Sequence, residues 1–481
     1  MSVFSPTADL QPRAGDRAVA ADATGHLAHQ VGCGERFISL QYGLAAILLG
    51  SAVAINDGRL HWLGLQWLAL ALLAMASGLI LCRSAVAGRV QSSLLEIVLA
   101  LGVAFQIVHL ALMGVMAACP SNVPTFAIRL CMLTFTLGVL TALWRDRSTG
   151  TLLMIGAFLV AGWACIYSNP HPRIDVLEFQ KHSAAALLGG SNPYGIRYRD
   201  IYEGHGTDFY GPGVIENGWL TYPFPYPPLS VLLVVPGQLI GDVRYAHLAA
   251  MAAAGALIAA CAPGRLGILA AALLLTSPRA LFLVQTGWTE PLLILLAAAV
   301  TWSALHCRRI LWLALGLWLA VKQYLLLLIP LTKLLGPTLG SRRRWRQTML
   351  AAGLVAAATI VPFLILDPQA FIRGVIQWQM IQPFRSDSLS FTALWAEMSG
   401  RPTEGLPGFI TASLAMAVGL WKAPRSPGGF MAGAALVFAA FFAFNKQAFC
   451  NYYLFVTGVC CCAIAGLAAD PTSRAATPVQ E

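Results

Sequence analysis

The feature that most constrains this chain is its succession of long, uncharged apolar runs. A membrane span needs roughly 20 apolar residues. Segments that meet or approach this length fall at about 37–56, 60–82, 94–117, 124–144, 150–168, 227–241, 244–262, 266–286, 289–306, 310–335, 347–366, 405–421, 428–444 and 449–468. Hydrophobic residues make up 58% of the chain and charged residues 11%, against roughly 25% charged in soluble domains. So little charge cannot cover a soluble particle of 481 residues. The composition excludes disorder, a collagen-like fibre and a secreted disulfide scaffold. The expected class is an all-α polytopic membrane protein with about thirteen transmembrane helices, in contact with a lipid bilayer.

The net charge of +10 would suggest nucleic acid in a soluble protein. Here the basic residues sit in short loops, so they are read as orientation signals and no nucleic-acid partner is expected. Arg83 and Arg89, Arg145 and Arg147, Arg308 and Arg309, the group Arg342, Arg343, Arg344 and Arg346, and Lys422 with Arg425 are assigned to the cytoplasmic side. That assignment makes residues 1–36 a disordered cytoplasmic tail and 37–168 a five-helix N-terminal region. It puts the polar insert 169–226 outside. It also requires 310–335 to be two half-length helices meeting near Lys322, Gln323 and Tyr324. Segment 227–241, interrupted by Pro236 and Gly237, has no fixed parity and is a candidate re-entrant element. Residues 469–481 form a C-terminal tail. The cysteines, Cys460, Cys461 and Cys462 among them, lie in or beside apolar runs and behave as small hydrophobes. No CxxC pair or zinc-like spacing occurs.

Glu96, Gln106 and His109 are polar residues within the early spans, read first as helix-packing hydrogen bonders. The unusual polar clusters fall on the outer side of this topology. Asp175, Glu178 and His182 stand at i, i+3 and i+7, which places them on one face of a surface amphipathic helix. Gly189 and Gly190 end that helix. The proline-rich stretch Tyr222–Pro228 is an extended rim. Gln285, Glu290 and Pro291 open one apolar segment. Lys322 lies between two apolar half-helices, where an ammonium requires a counter-anion or a water-filled cavity. A last polar knot contains Lys446, Gln447, Asn451 and Tyr452. The external stretch 367–403 adds Arg373, Gln377, Gln379 and Arg385. A carboxylate can act as general base on a hydroxyl, and cations at lipid depth can hold a phosphate leaving group. Together they suit transfer of a group from a lipid phosphate to an alcohol.

The ordered set Asp175…Phe179…Ala185…Leu188…Gly190…Asn192-Pro193-Tyr194, Tyr226-Pro227-Pro228, Gln285-Thr286-Gly287, Gly316…Val321-Lys322-Gln323-Tyr324 and Lys446-Gln447-Ala448-Phe449…Asn451-Tyr452-Tyr453 resembles the GT-C class of integral-membrane glycosyltransferases. It looks closest to the polyprenyl-phosphate-mannose-dependent mannosyltransferases of glycosyltransferase family 87. The resemblance spans about residues 168–468, so 169–468 is expected to be the GT-C-like catalytic membrane module. Those enzymes place the acidic loop after the first span, whereas five spans precede it here, which implies four additional N-terminal helices. Trp288 also departs from the family pattern. The resemblance implies an inverting transfer of a sugar, mannose in the first instance, from a polyprenyl-phosphate donor to an acceptor hydroxyl on a glycan or glycolipid, on the extracytoplasmic face. It makes Asp175 the catalytic base. Nearby cations are expected to depress the pKa of that carboxylate. Lys322 and Lys446 are the candidates for the donor phosphate. Glu178, His182, Tyr226, Gln285, Glu290, Gln323, Tyr324, Gln447, Asn451 and Tyr452 are the candidates for the substrate cavity. No cofactor and no metal are expected, although Asp175 with Glu178 leaves a metal open. The competing readings are a transporter or lipid-linked-sugar flippase, and a ligase or polymerase using pyrophosphate-linked donors.

Overall fold

The computed structural model describes residues 14–113, 125–203, 205 and 209–469, with the side chains of 14–31 and 125 set aside. The expected tails therefore lie outside the described residues at 1–13 and 470–481. Within that range the chain is helical apart from loops and one two-stranded hairpin. Five helices come first: α1 (Ala14–Ile55), α2 (Trp62–Ile80), α3 (Ser92–Met113), α4 (Thr125–Trp144) and α5 (Arg147–Ser168). α1 starts inside the segment expected to be a disordered tail. The alanine-rich composition after Ala14 favours helix, and the apolar, membrane-length part of α1 is Gly32–Ile55. α6 (Asp175–Leu188) is the amphipathic helix. Beyond it come α7 (Arg244–Cys261), α8 (Arg265–Leu275), α9 (Ala280–Thr286), α10 (Glu290–His306) and α11 (Leu311–Val321). The remaining long helices are α12 (Arg342–Leu366), α13 (Leu406–Lys422), α14 (Pro427–Ala443) and α15 (Cys450–Ala468).

Eight of the described helices are long and apolar enough to cross a membrane, or nine if the bent pair α8 and α9 counts as one. α3, at 22 residues, is about 33 Å long at ~1.5 Å per residue, which matches the hydrocarbon thickness of about 30 Å. Other apolar segments are shorter helices: Pro228–Leu239, α10, Gln323–Leu339, α13 and α14. Their punctuation is visible in the sequence, since Pro228, Pro236, Pro330 and Pro427 each interrupt or begin an apolar run. α15 is the axis of the bundle, with 94% of its apolar window buried. α1, α8, α10 and α14 pack around it. α12 is its opposite, with 6% buried.

The segment 310–335 divides as expected. α11 stops at Lys322, which has extended backbone, and a 3₁₀ helix runs from Gln323 to Leu335. The segment 227–241 forms two short helices, Pro228–Leu232 and Val235–Leu239. It leaves from Tyr226 beside Lys322 and returns to Arg244, which donates to the carbonyls of Asn169 and Pro170. Both of its ends therefore lie at the same end of the bundle.

The loops sort into two ends. At one end Arg59 bridges to Ser388, Leu60 bonds Asp387, Leu389 bonds Ala448, and Arg279 pairs with Asp57. At the other, Arg147 donates to the carbonyls of Ala259, Ala262 and Gly264, and His306 bonds Cys261. Glu96 pairs with Arg265 at the second end, whereas the polar clusters read as the outer side, around Asp175, Tyr226, Glu290, Lys322 and Lys446, are at the first. The 169–226 insert there contains a hairpin, Ile215–Glu216 with Trp219–Leu220. Asn217 and Gly218 turn it with φ of 51° and 78°, the Asn-Gly geometry of a tight hairpin.

Candidate functional site

α6 is placed by its buried face, which carries Val176, Leu177, Phe179, Gln180, Ser183 and Ala184. Gln180 fixes its depth. Its amide nitrogen donates to the Gly287 carbonyl at 2.6 Å, and its oxygen meets His247 Nε2 at 2.8 Å. Gly287 ends α9 with φ +71°, and a Cβ there would stand 2.8 Å from the Leu177 side chain. Glycine at that position therefore lets α6 seat closely. Arg244, 2% exposed, completes the latch by bonding Asp242, Asn169, Pro170 and Gln285.

Once α6 is seated, Asp175 is half-buried at its first turn. Its Oδ1 accepts the Val176 N–H at 2.8 Å, and the phenols of Tyr202 and Tyr210 approach the carboxylate. Burial raises the Asp175 pKa above the usual carboxylate range, and the Val176 N–H and the nearby phenols oppose the shift. This corrects the expectation that nearby cations depress it.

The second element is a buried ion pair. Lys322 Nζ lies 2.5 Å from Glu290 Oε1 and 2.8 Å from Thr289 Oγ1. Glu290 is fully buried, and Lys322 is 6% exposed. Three phenol rings surround the ammonium: Tyr226 at 5.3 Å, Tyr324 at 5.5 Å and Tyr452 at 5.7 Å to the ring centres. Such contacts favour a cation. Tyr226 and Tyr452 both feel the fields of Asp175 and Glu290, so the two carboxylates, the lysine and the tyrosines form one cluster. All three rings keep partial exposure, and the Tyr324 hydroxyl has no hydrogen-bond partner among the described residues. Asn451, next to Tyr452, is fully buried with both amide atoms unpartnered.

Other expected site residues hold the frame. Gln323 donates to the carbonyls of Pro225 and Val375, which pins the extended Tyr222–Pro228 rim. Gln285 donates to Cys165 at 2.9 Å, away from the cluster. Lys446 donates to the carbonyls of Gln379, Met380 and Gln382, and Gln447 donates to Pro383. These two residues stitch the 379–383 loop to the knot before α15. Desolvation lowers the Lys446 pKa. Arg373 donates to Thr221 and lies over the Tyr222 ring. Arg385 pairs with Asp387 at 2.8 Å and lies over Phe209 and Phe449.

Glu178 and His182 are not brought to the cluster. They pair with each other at 3.0 Å on the outer part of α6, and that contact lowers the Glu178 pKa. Glu178 lines a separate open groove of about 1150 Å³ with Trp163, Tyr167, Lys181 and Asp242. Asp175 does not line that groove. Among the described residues, no three His, Cys, Asp or Glu side chains group to hold a metal ion.

Sequence reasoning missed Thr289 as a lysine partner, the phenols of Tyr202 and Tyr210, and the latch formed by Arg244. The available signal was weak: an aromatic-rich polar insert for the tyrosines, and an Asp-x-Arg sequence at Asp242 for the latch. Of the early polar residues, Glu96 pairs with Arg265 and Gln106 bonds Thr276, which is the helix-packing role. Set against protein-family models, characterised proteins and solved structures, the chain matches none.

Proposed function

We propose that the chain is an inverting GT-C-type glycosyltransferase. It moves a sugar, mannose in the first instance, from a polyprenyl phosphate to an acceptor hydroxyl on a glycan or glycolipid. In this reading the shorter apolar helices are partial or oblique crossings, bringing the count towards thirteen. The arginine-rich end faces the cytoplasm by the charge rule, and the Asp175 end faces out. The observation that carries the proposal is the meeting of one hydrogen-bonded carboxylate with a caged ion pair and partly open phenol rings at the polar end of a lipid-embedded bundle.

Asp175 takes the proton of the acceptor hydroxyl. The oxygen attacks the anomeric carbon from the face opposite the phosphate. The carbon–oxygen bond to phosphate breaks, and polyprenyl phosphate leaves with the electron pair. Burial makes Asp175 a stronger base than an ordinary carboxylate, the Val176 N–H holds its orientation, and the phenols of Tyr202 and Tyr210 stand beside it. Lys322 is already neutralised by Glu290, so it meets the phosphate only by sharing or exchanging that partner. Lys446 and Arg373 form no ion pair among the described residues, and they supply cations on the same rim. The tyrosine rings offer flat surfaces for a sugar, and the amide of Asn451 offers hydrogen bonds.

A lipid-linked-sugar flippase is the second reading. It is favoured by the 51° break between α8 and α9, where Thr276 and Ser277 are fully buried beside Gln106. Broken helices carry ligands in transporters. Proteoliposomes holding a polyprenyl-phosphate sugar in one leaflet separate the two. A transferase consumes the donor when an acceptor is supplied, whereas a flippase moves it intact between leaflets.

A further inference from the structure

Between Pro291 and Leu366 the chain has no acidic residue. The structure gathers the cations of that stretch, apart from Lys322, at the end opposite Asp175. α11 and α12 run side by side in the same direction. They touch where Gly316 meets the Ala352 carbonyl and Val355, so tightly that a Cβ on Gly316 would stand 2.5 Å from that oxygen. Arg308 and Arg344 each precede this contact by the same number of residues, so Arg308 and Arg309 stand level with the start of α12. Trp345 donates its indole N–H to the Thr332 carbonyl at 3.0 Å, which brings Lys333 to the same place. Arg308, Arg309, Lys333, Arg342, Arg343, Arg344 and Arg346 are all exposed. None of them forms an ion pair among the described residues.

Two features make this more than an orientation signal. Four arginines crowd the first turns of α12 behind the Ser341 cap, the helix end where cations are disfavoured and anions favoured. Directly along the same helix, Leu350 is 68% exposed and Leu354 63% exposed, with Trp345 at the boundary. A ligand that satisfies both features has phosphate at one end and hydrocarbon at the other. We infer that the Arg308, Lys333 and Arg342–Arg346 surface is a binding site for anionic phospholipid headgroups, whose acyl chains lie along the exposed face of α12. The site is independent of the Asp175 cluster and of the reaction proposed for it.

The test uses full-length protein in lipid discs made from equimolar phosphatidylglycerol and phosphatidylcholine, followed by detergent washing and mass spectrometry of the retained lipid. Wild type is expected to retain phosphatidylglycerol in excess. A variant carrying Arg342→Gln, Arg343→Gln, Arg344→Gln and Arg346→Gln is expected to lose at least tenfold of that excess, since each basic group near a charged surface adds to lipid attraction. The corresponding four Arg→Lys changes keep most of it, which separates charge from folding. A control with Arg83→Gln and Arg89→Gln keeps it fully. Equal retention of the two lipids by wild type overturns the inference. So does an equal loss in the control, which would reduce the effect to net charge. Binding of poly-glutamate without phosphatidylglycerol enrichment overturns it in favour of a protein partner.

Discussion

Replacing Lys322 by methionine removes the cation that, among the described residues, pairs with a fully buried carboxylate. At the observed 2.5 Å separation, two unit charges attract by about 7 kcal/mol at an effective dielectric constant of ~20. Desolvation of several kcal/mol per ion offsets most of that gain. The net value of the intact pair is therefore small, but breaking it on one side is costly. In Lys322→Met, the Glu290 side chain keeps, among the described residues, a long contact to Thr289 at 3.5 Å, and the three phenol rings lose the cation they surround. The expected loss is about 3–5 kcal/mol. Glu290→Gln strands the ammonium instead, and the phenol rings soften the loss by about 0.5–2 kcal/mol. The double variant Lys322→Met with Glu290→Gln restores neutrality, so it should lie about 2–3 kcal/mol above the sum of the single variants. Equilibrium unfolding in SDS, with helicity as readout, measures all four proteins. Single variants within about 1 kcal/mol of wild type, or strictly additive losses, would refute the claim that the pair is a coupled buried unit.

Asp175→Asn is expected to lower turnover by about 10²–10⁴-fold, the range of general base catalysis, with donor binding retained. Glu178→Gln, on the other groove, should change turnover by less than threefold; steady-state assay of both variants decides the roles. Because burial raises the Asp175 pKa and the base works only when ionised, activity should fall with acid at a pH above the ordinary carboxylate range. Tyr202→Phe removes a phenol whose proximity favours the ionised form, so the acid limb should move to still higher pH, and a pH–rate profile reads the shift. Lys446→Met frees three carbonyls of the 379–382 segment and should speed amide hydrogen exchange there by at least tenfold while leaving exchange in α15 unchanged.

Elements governed by local rules were legible in the sequence. The spacing of Asp175, Glu178 and His182 with Gly189 and Gly190 marks α6 almost to its ends. The charge on either side of 310–335 requires the break at Lys322, and the rim at Tyr222–Pro228 follows from its prolines. What the sequence did not reveal depends on contacts distant along the chain. The cost of burying Lys322 called for a counter-anion, but Glu290 is 32 residues away, and only the packing of α10 against α11 selects it over Asp175. The same spacing that put Asp175 and Glu178 on one helical face left them about 60° apart around the axis. Of the two, Glu178 lines the open groove and Asp175 does not. The shift of Asp175 was misjudged in sign because neighbouring cations are visible in a sequence and burial is not. Lys446 and Gln323 stand out in the sequence as polar residues at a membrane boundary, but their contacts with carbonyls of the external loop and the rim join segments far apart along the chain and are visible only in the fold.

The most direct test of the central claim is donor turnover by the purified protein. Wild type and Asp175→Asn are incubated with radiolabelled polyprenyl-phosphate mannose and a mannose-containing glycolipid acceptor, without added metal, and both products are quantified by chromatography. The account predicts that wild type releases free polyprenyl phosphate in step with formation of an α-linked mannosyl product, and that Asp175→Asn releases at most one hundredth as much. Intact donor after prolonged incubation with wild type, across a panel of polyprenyl-phosphate sugars and acceptors, would contradict it, as would undiminished product formation by Asp175→Asn.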